Sequence, residues 1–425
     1  MKYVCVLSTD NYLDGVLVLN ENLKKVKSKY DLVCLVNNKI SKETRDILSY
    51  FGIKYKITEP VDFNCGEGYW KYTFDKINIF SLTEYKKIVY LDCDMYIKQN
   101  IDSLFDIDCF TMASDYPCSG GPNSAIMIIK PNEVDYNLLK LKVKKADLDF
   151  YNGYGDQNVI SEYFKNINIL DYSYNEMRYI TQESMYYYDI NDGCYAERNL
   201  VYLRNKALDE SKIVHYTLEM KPWMTDKPFA DEYYYEYNKL LSYIKKKKID
   251  YYLSTKKLLI ITYIKEINEK VSKSLQSLKN QDFRNINILI CTSDNKINQL
   301  IKDINLKNTK CVKEIEYNTV YDEYDYVSFF NPDTILKSTC YKECLEHMLT
   351  YNLDCIQFNC VESNDSLYFS FLKLTDDIII DDRITSKSYD KIFKTENTKG
   401  KNGLEECLKS LSNIGIIGKA YYDYI

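Results

Sequence analysis

Short apolar runs alternate with amphipathic stretches through the first half of the chain. This is the pattern of an α/β fold built on a mostly parallel sheet. Tyr3–Leu7 is a continuous β-branched and apolar run that ends in the turn-rich Ser8-Thr9-Asp10-Asn11. Val16–Tyr30 has helical periodicity, Asp31–Val36 predicts a second buried strand, Ser41–Phe51 a second helix and Ile53–Ile57 a third strand. Lys71–Ser81 predicts another helix, leading into a strand over Lys87–Leu91.

The pattern breaks between residues 241 and 257, where Lys245–Lys248 and the polar Ser254-Thr255 lack the apolar spacing of a core element. It then restarts with a strand over Leu258–Tyr263, a helix from Lys270 to Lys279 and a strand over Ile286–Cys291. Two α/β units in series are therefore expected, over residues 1–245 and 257–425. A chain of 425 residues also exceeds the size at which one core suffices. No short-period repeat is present, which excludes a solenoid.

Composition narrows the function. Hydrophobic residues at 45% and charged residues at 28% are the balance of a globular protein. A formal charge of -6 lacks the basic field that nucleic acid requires, and suits small anionic ligands held by a few placed cations. No apolar run reaches the roughly 18 residues of a membrane span, and the N-terminus has neither a basic lead-in nor a small-residue cleavage site. The 14 cysteines are scattered without a C-x-x-C pair, and Cys5, Cys34 and Cys93 sit inside apolar runs as small hydrophobes. A reducing, cytoplasmic location is expected. The 43 tyrosines accompany abundant Lys, Asn and Ile, a compositional bias, whereas there are only two histidines, His215 and His347.

Chemistry concentrates where the strand Val89-Tyr90-Leu91 runs into Asp92-Cys93-Asp94. Carboxylates at i and i+2 of an extended chain share a side, at the strand end where open α/β sheets bind ligands. Two facing carboxylates repel unless a cation lies between them, and Mn²⁺ or Mg²⁺ with oxygen ligands meets that need. The plainer alternative is a strand-end turn. Three further features favour the metal. His215 closes the apolar run Ile213-Val214 and can complete an Asp, Asp, His set. Lys221 precedes Pro222-Trp223 and can neutralise a diphosphate. Gly153-Tyr154-Gly155 presents Asp156 and Gln157 on a turn.

These segments, in this order over about residues 1–225, resemble the glycogenin-like family 8 of retaining glycosyltransferases. The resemblance implies a Rossmann-like fold of the GT-A type, a UDP-sugar donor, UDP-glucose in the first instance, and a glycan or protein acceptor. Tyr12 would stack on uracil, with Ser8 and Thr9 on the nucleoside. Lys76 would lie near the donor phosphates and sugar. Asp92, Asp94 and His215 would hold manganese (Mn²⁺, or Mg²⁺ in its place). Asn123 and Ser124 would contact the donor sugar, Asp156 and Gln157 would sit beside the anomeric carbon, and Lys221 would bind the diphosphate. It also favours a homodimer. Three positions depart from the family: Leu218 replaces a glycine between the His and the Lys, Ala125 ends the Asn-Ser-Gly segment, and Thr9 replaces an Asn. Self-glucosylation would need a tyrosine such as those at Tyr186–Tyr188, which also suit loop packing.

Residues 257–425 resemble the inverting family 2 glycosyltransferases, through Ser274–Leu278, Asn280-Gln281-Asp282-Phe283, Tyr326–Asp333, Lys391–Lys394, Glu405-Glu406 and Tyr421-Tyr422. Glu406 falls near that family's base. Thr292-Ser293 and Asn331-Pro332-Asp333 replace its nucleotide and metal carboxylates, so the domain is expected to be degenerate. Two rivals remain. A nucleotidyltransferase would show a Gly-rich phosphate loop near the N-terminus, which is missing. A non-catalytic carbohydrate-binding protein would not need the Asp92, Asp94, His215 and Lys221 set.

Overall fold

The structure is a computed structural model that describes residues 1–61, 69–115, 121–145, 155–178, 211–217, 221–224, 232–315, 323–332, 334–351, 355–359, 378–380, 391–394 and 414–420. Gly153, Tyr154, Tyr186–Tyr188, Leu218, Asp333, Glu405, Glu406, Tyr421 and Tyr422 lie outside the described residues. The chain divides into two compact units, Met1–Lys245 and Lys246–Ile425.

In the first unit, β1 (Lys2–Leu7), α1 (Leu13–Lys25), β2 (Leu32–Asn37), α2 (Lys42–Tyr50) and β3 (Lys54–Thr58) alternate as the periodicity predicts. All six residues of β2 are buried, because a parallel strand covered on both faces has no polar side to show. Ser41 caps α2, its hydroxyl accepting from the Thr44 N–H at 3.1 Å. Helix α1 stops at Lys25, short of the predicted Tyr30. Lys27 takes a left-handed φ of 56°, and the N–H groups of Lys27 and Ser28 bond the carbonyls of Lys24 and Leu23, both at 3.0 Å. This reversal satisfies the last carbonyls of the helix.

Tyr69–Ser81 forms a 3-10 helix, not the expected α-helix. Two buried polar side chains in it are committed elsewhere. Asp75 accepts from Val61 N–H and Asn37 Nδ2, and Asn78 donates to Glu59 O. The segment is thereby fitted to the loops after β2 and β3. Then come β4 (Ile88–Leu91), β5 (Met95–Ile97), β6 (Thr111–Ser114), β7 (Pro122–Ile129), α3 (Glu133–Lys145), α4 (Asp156–Tyr163), β8 (Asn168–Ile169), β9 (Glu176–Arg178) and β10 (Ile213–Tyr216). Among the described residues they build a seven-stranded sheet, β3-β2-β1-β4-β7-β6-β8, and a three-stranded sheet, β5-β10-β9. Strands β3, β2, β1 and β4 run parallel, and β7 is antiparallel to β4. Phe74, Phe80, Tyr90, Met127 and Leu139 are among the residues of the core on one face of the sheet.

Of residues 241–257, expected to fall outside any core element, 241–255 belong to α5 (Glu232–Thr255). Tyr234, Tyr237, Leu241 and Ile244 are buried at spacings of three and four, and the lysines that follow are good helix formers.

In the second unit β11 (Leu258–Tyr263), α6 (Glu269–Lys279), β12 (Ile286–Cys291), α7 (Ile297–Ile304), β13 (Thr309–Val312), β14 (Tyr326–Phe330), α8 (Cys340–Tyr351), β15 (Cys355–Asn359), β16 (Ile378–Ile380), β17 (Lys391–Lys394) and β18 (Ile414–Ala420) follow. Their sheet runs β13-β12-β11-β14-β17-β15-β18-β16. Its first four strands are parallel and β17 is antiparallel to β14, so the order of β3-β2-β1-β4-β7 recurs.

Candidate metal and donor site

The strand order of the first unit reverses between β1 and β4, and such a switch point leaves a crevice beyond the carboxyl ends of the strands. Ser8 follows β1 there and Asp92 follows β4. The Asp92 N–H still donates to Ala125 O of β7 at 2.9 Å, after which Asp92-Cys93-Asp94 leaves the sheet as a turn into β5. The two carboxylates are therefore presented by a turn, not by the extended strand that the i, i+2 spacing suggested. Strand β10 brings in His215, opposite Met95 of β5, and the Tyr216 N–H donates to Asp94 O at 2.9 Å. Asp92, Asp94 and His215 each offer one ligand atom, and these atoms lie within 4.8 Å of one another.

The set fits a hard divalent cation: two carboxylates and an imidazole, with one carboxylate oxygen waiting for a partner. Asp94 Oδ1 is buried with no hydrogen bond among the described residues, although His215 Nε2 stands 3.1 Å away. Asp94 Oδ2 accepts from Lys221 Nζ, which also donates to Tyr216 O at 3.0 Å. Burial alone would raise the Asp94 carboxyl, but Lys221 and His215 outweigh it and hold Asp94 well below the usual carboxylate range. Asp92 is pushed the other way, chiefly by burial and then by Asp94, with Lys76 opposing. Its Oδ1 also accepts from the Tyr90 hydroxyl.

Lys76 joins Asp92 to Asp156 and Ser124. Its Nζ is 3.0 Å from Asp92 Oδ1, 3.4 Å from Asp156 Oδ2 and 3.4 Å from Ser124 Oγ. Burial opposes its charge, yet Asp156 and Asp92 raise it above the ordinary lysine value, so it stays an ammonium. Asp156 opens α4, where the helix dipole favours a carboxylate, and accepts from Ser124 Oγ at 2.7 Å. Gln157 Oε1 accepts from the Ser124 N–H at 3.4 Å. The turn behind them is fixed by the Gly155 N–H donating to Asn158 Oδ1 at 3.0 Å.

The remaining expected residues stand apart from this cluster. Asn123 donates to Asp115 Oδ1 at 2.8 Å and accepts from the Ala125 N–H at 2.9 Å. Ser8 Oγ donates to Tyr72 O at 3.3 Å, and the Tyr12 N–H donates to Thr9 O at 3.2 Å. Tyr12 meets Trp223 edge to face at 5.6 Å between centroids, and Trp223 Nε1 donates to Asn11 O at 2.8 Å. The Lys221-Pro222-Trp223 turn thus touches both the metal pair and the opening turn.

Residues 3–116 match the model of glycosyl transferase family 8. The match lies within the first unit. Inositol phosphorylceramide glucuronosyltransferase 1 of Arabidopsis thaliana is 32% identical over 234 residues, covering 52% of this chain and 42% of that protein. Glycogenin-1 of Caenorhabditis elegans is 28% identical over 229 residues, covering 52% of this chain and 50% of that protein. The chain thus spans half or less of the length of these relatives. Among solved structures, the glycosyltransferase GlyE of Streptococcus pneumoniae TIGR4 aligns at a TM-score of 0.41 and 18% identity, over 85% of this chain and 94% of that one.

Three contributors to the site escape a reading of the sequence, in whole or in part. Tyr90 bonds Asp92 from inside β4, where its alternation marks it only as core. Trp223 was legible as the end of Lys-Pro-Trp, but its packing against Gly15 and Tyr12 was not. Asn175, completely buried, lies 2.8 Å from His215 Nδ1, and one asparagine among many gives no signal.

Proposed function

We propose that the chain is a metal-dependent retaining glycosyltransferase that moves a hexose from a UDP-sugar, UDP-glucose first, to a glycan or protein acceptor. The convergence of Asp92, Asp94 and His215 beside two buried lysines carries this reading. Three carboxylates, Asp92, Asp94 and Asp156, face two ammonium groups, Lys76 and Lys221. One formal negative charge is left over, and a divalent cation turns it into one positive charge, the sign a diphosphate requires.

Asp92, Asp94 and His215 would hold Mn²⁺ or Mg²⁺. Such an ion supplies electrostatic stabilisation for the charge that builds on a departing diphosphate. Lys221, braced on Asp94 and Tyr216 O, adds a fixed positive charge beside that diphosphate. Tyr12, Ser8 and Thr9 take the uridine, with Trp223 supporting the Tyr12 ring from its edge. Asn123 and Ser124 contact the donor sugar. Gln157 and Asp156 sit beside the anomeric carbon, where Asp156 either stabilises an oxocarbenium-like centre or forms a transient adduct. Lys76 holds Asp156 and Asp92 in one hydrogen-bonded unit, so the leaving-group and sugar sides of the site move together.

The second unit is a degenerate family 2-like domain with a structural or acceptor-binding role. The recurring strand order supports a common architecture, and β14 ends on Asn331-Pro332 where β4 ends on Asp92-Cys93. UDP-glucuronate is the second donor to consider, because relatives such as inositol phosphorylceramide glucuronosyltransferase 1 are named for glucuronosyl transfer.

Release of UDP from a panel of UDP-sugars with Mn²⁺ tests the reading. One donor should turn over, with a loss of about 10²–10³-fold in Asp94→Asn and His215→Ala. Turnover that survives both changes moves the activity to the second unit. No turnover and no donor binding leaves a scaffold.

A further inference from the structure

We infer that Asn175 is a positioning residue that fixes the tautomer of His215, so that Nε2 is the ring nitrogen turned toward Asp92 and Asp94. The inference rests on the reading of His215 as a metal ligand, and its first step needs only hydrogen-bond chemistry. Asn175 Nδ2 lies 2.8 Å from Ser114 O, a carbonyl that can only accept. The amide nitrogen therefore belongs on that side and the orientation of the amide is settled. Its other end, Oδ1, lies 2.8 Å from His215 Nδ1. An amide oxygen can only accept, so Nδ1 carries the hydrogen. A neutral imidazole with Nδ1–H has its lone pair on Nε2, the atom 3.1 Å from Asp94 Oδ1.

The same two bonds set where the ring stands. Ser114 ends β6, and the β6–β7 ladder pairs it with Pro122 and its neighbour Ala113 with Asn123. Asn175 precedes β9, which runs parallel to β10 and pairs Met177 with His215. One buried amide therefore ties the small sheet that carries the imidazole to the strand edge that carries the proposed sugar contacts. A leucine at this position has nearly the same shape and neither bond.

Histidine labelled with ¹⁵N gives a direct reading, because the chain has only two histidines. In wild type the His215 ring should show a hydrogen on Nδ1, with His347 as internal reference. Asn175→Leu should move His215 to the Nε2–H form or to a mixture and weaken Mn²⁺ binding about 10–100-fold, followed by water-proton relaxation. Asn175→Asp, which keeps an acceptor at Nδ1, should retain the wild-type tautomer. A wild-type ring with no hydrogen on Nδ1 overturns the inference whatever the variants do. So does Asn175→Leu with an unchanged ring signal and unchanged Mn²⁺ affinity. If wild type binds no Mn²⁺ while the ring is Nδ1–H and responds to Asn175→Leu, the metal reading fails and the role of Asn175 stands.

Discussion

Gly15→Ala adds one methyl group at the point where α1, the Asp92–Asp94 turn and the Trp223 turn meet. A Cβ on Gly15 would lie 2.6 Å from Trp223 Cη2, 2.9 Å from Trp223 Cζ3 and 2.8 Å from the Cys93 carbonyl oxygen. Carbon atoms in contact sit about 3.5–4.0 Å apart, so the indole must retreat by roughly 1 Å. The Cys93 oxygen is backbone between Asp92 and Asp94, and it can retreat only by moving the turn that carries both carboxylates. Overpacking of this kind costs about 1–3 kcal/mol, while alanine in place of a helical glycine returns about 1 kcal/mol. Net stability should change by about 0 to -2 kcal/mol. Function should suffer more, because a displacement near 1 Å at a reacting site can cost about 10²-fold. Steady-state kinetics with the preferred donor, alongside thermal melts, separates the two effects. Donor kcat/KM should fall about 10²-fold with a Tm loss of no more than about 8 °C, and adding Trp223→Phe, which removes both clashing indole atoms, should restore part of the activity. An alanine variant with full activity and a raised Tm would show that only helix propensity changed, and would refute the packing argument.

Two stability predictions follow from the same unit. Lys27 holds the left-handed position after α1 without being a glycine, so Lys27→Gly should stabilise by up to about 1 kcal/mol, a Tm gain of about 2–4 °C; a lower Tm contradicts it. Burial would raise the Asp102 carboxyl, but bonds from the Lys29 N–H, Ser28, Tyr3 and Asn100 hold it below the ordinary aspartate value. A depressed folded value stabilises above the unfolded value of about 3.9, and that stability disappears as pH falls through the folded value. The Tm gap between wild type and Asp102→Asn should be constant from pH 5 to 7 and shrink below about pH 4; a gap that widens in acid is the opposite result.

Much of the first unit could be read from its pattern, because β1, β2 and β4 are unbroken apolar runs that only buried parallel strands require. The expected strands Leu258–Tyr263 and Ile286–Cys291 coincide with β11 and β12 for the same reason. The helix expected over Lys71–Ser81 is present as a 3-10 helix over Tyr69–Ser81; periodicity reports apolar faces and is blind to Asp75 and Asn78, whose partners lie in other loops. The stretch after Leu241 was misjudged because a run of lysines hides the spacing of Tyr237, Leu241 and Ile244. In the site, Asp92, Asp94 and His215 stood out through charge or rarity. Tyr90 and Asn175 act through single long-range bonds, which leave no local trace in a sequence.

The pairing of Asp94 with Lys221 spans 127 residues of chain. A ribosome adding about 5–20 residues per second needs about 6–25 s to cover that distance. Strands β1 to β4 and the acidic turn leave the exit tunnel long before the imidazole and the lysine that will face them. During that interval Lys76 is the only one of the site's cations already made, and the small sheet cannot close until β10 arrives. The nascent chain thus carries a half-built acidic crevice through much of its synthesis, and the site is completed late by a segment that is the last strand of its unit among the described residues.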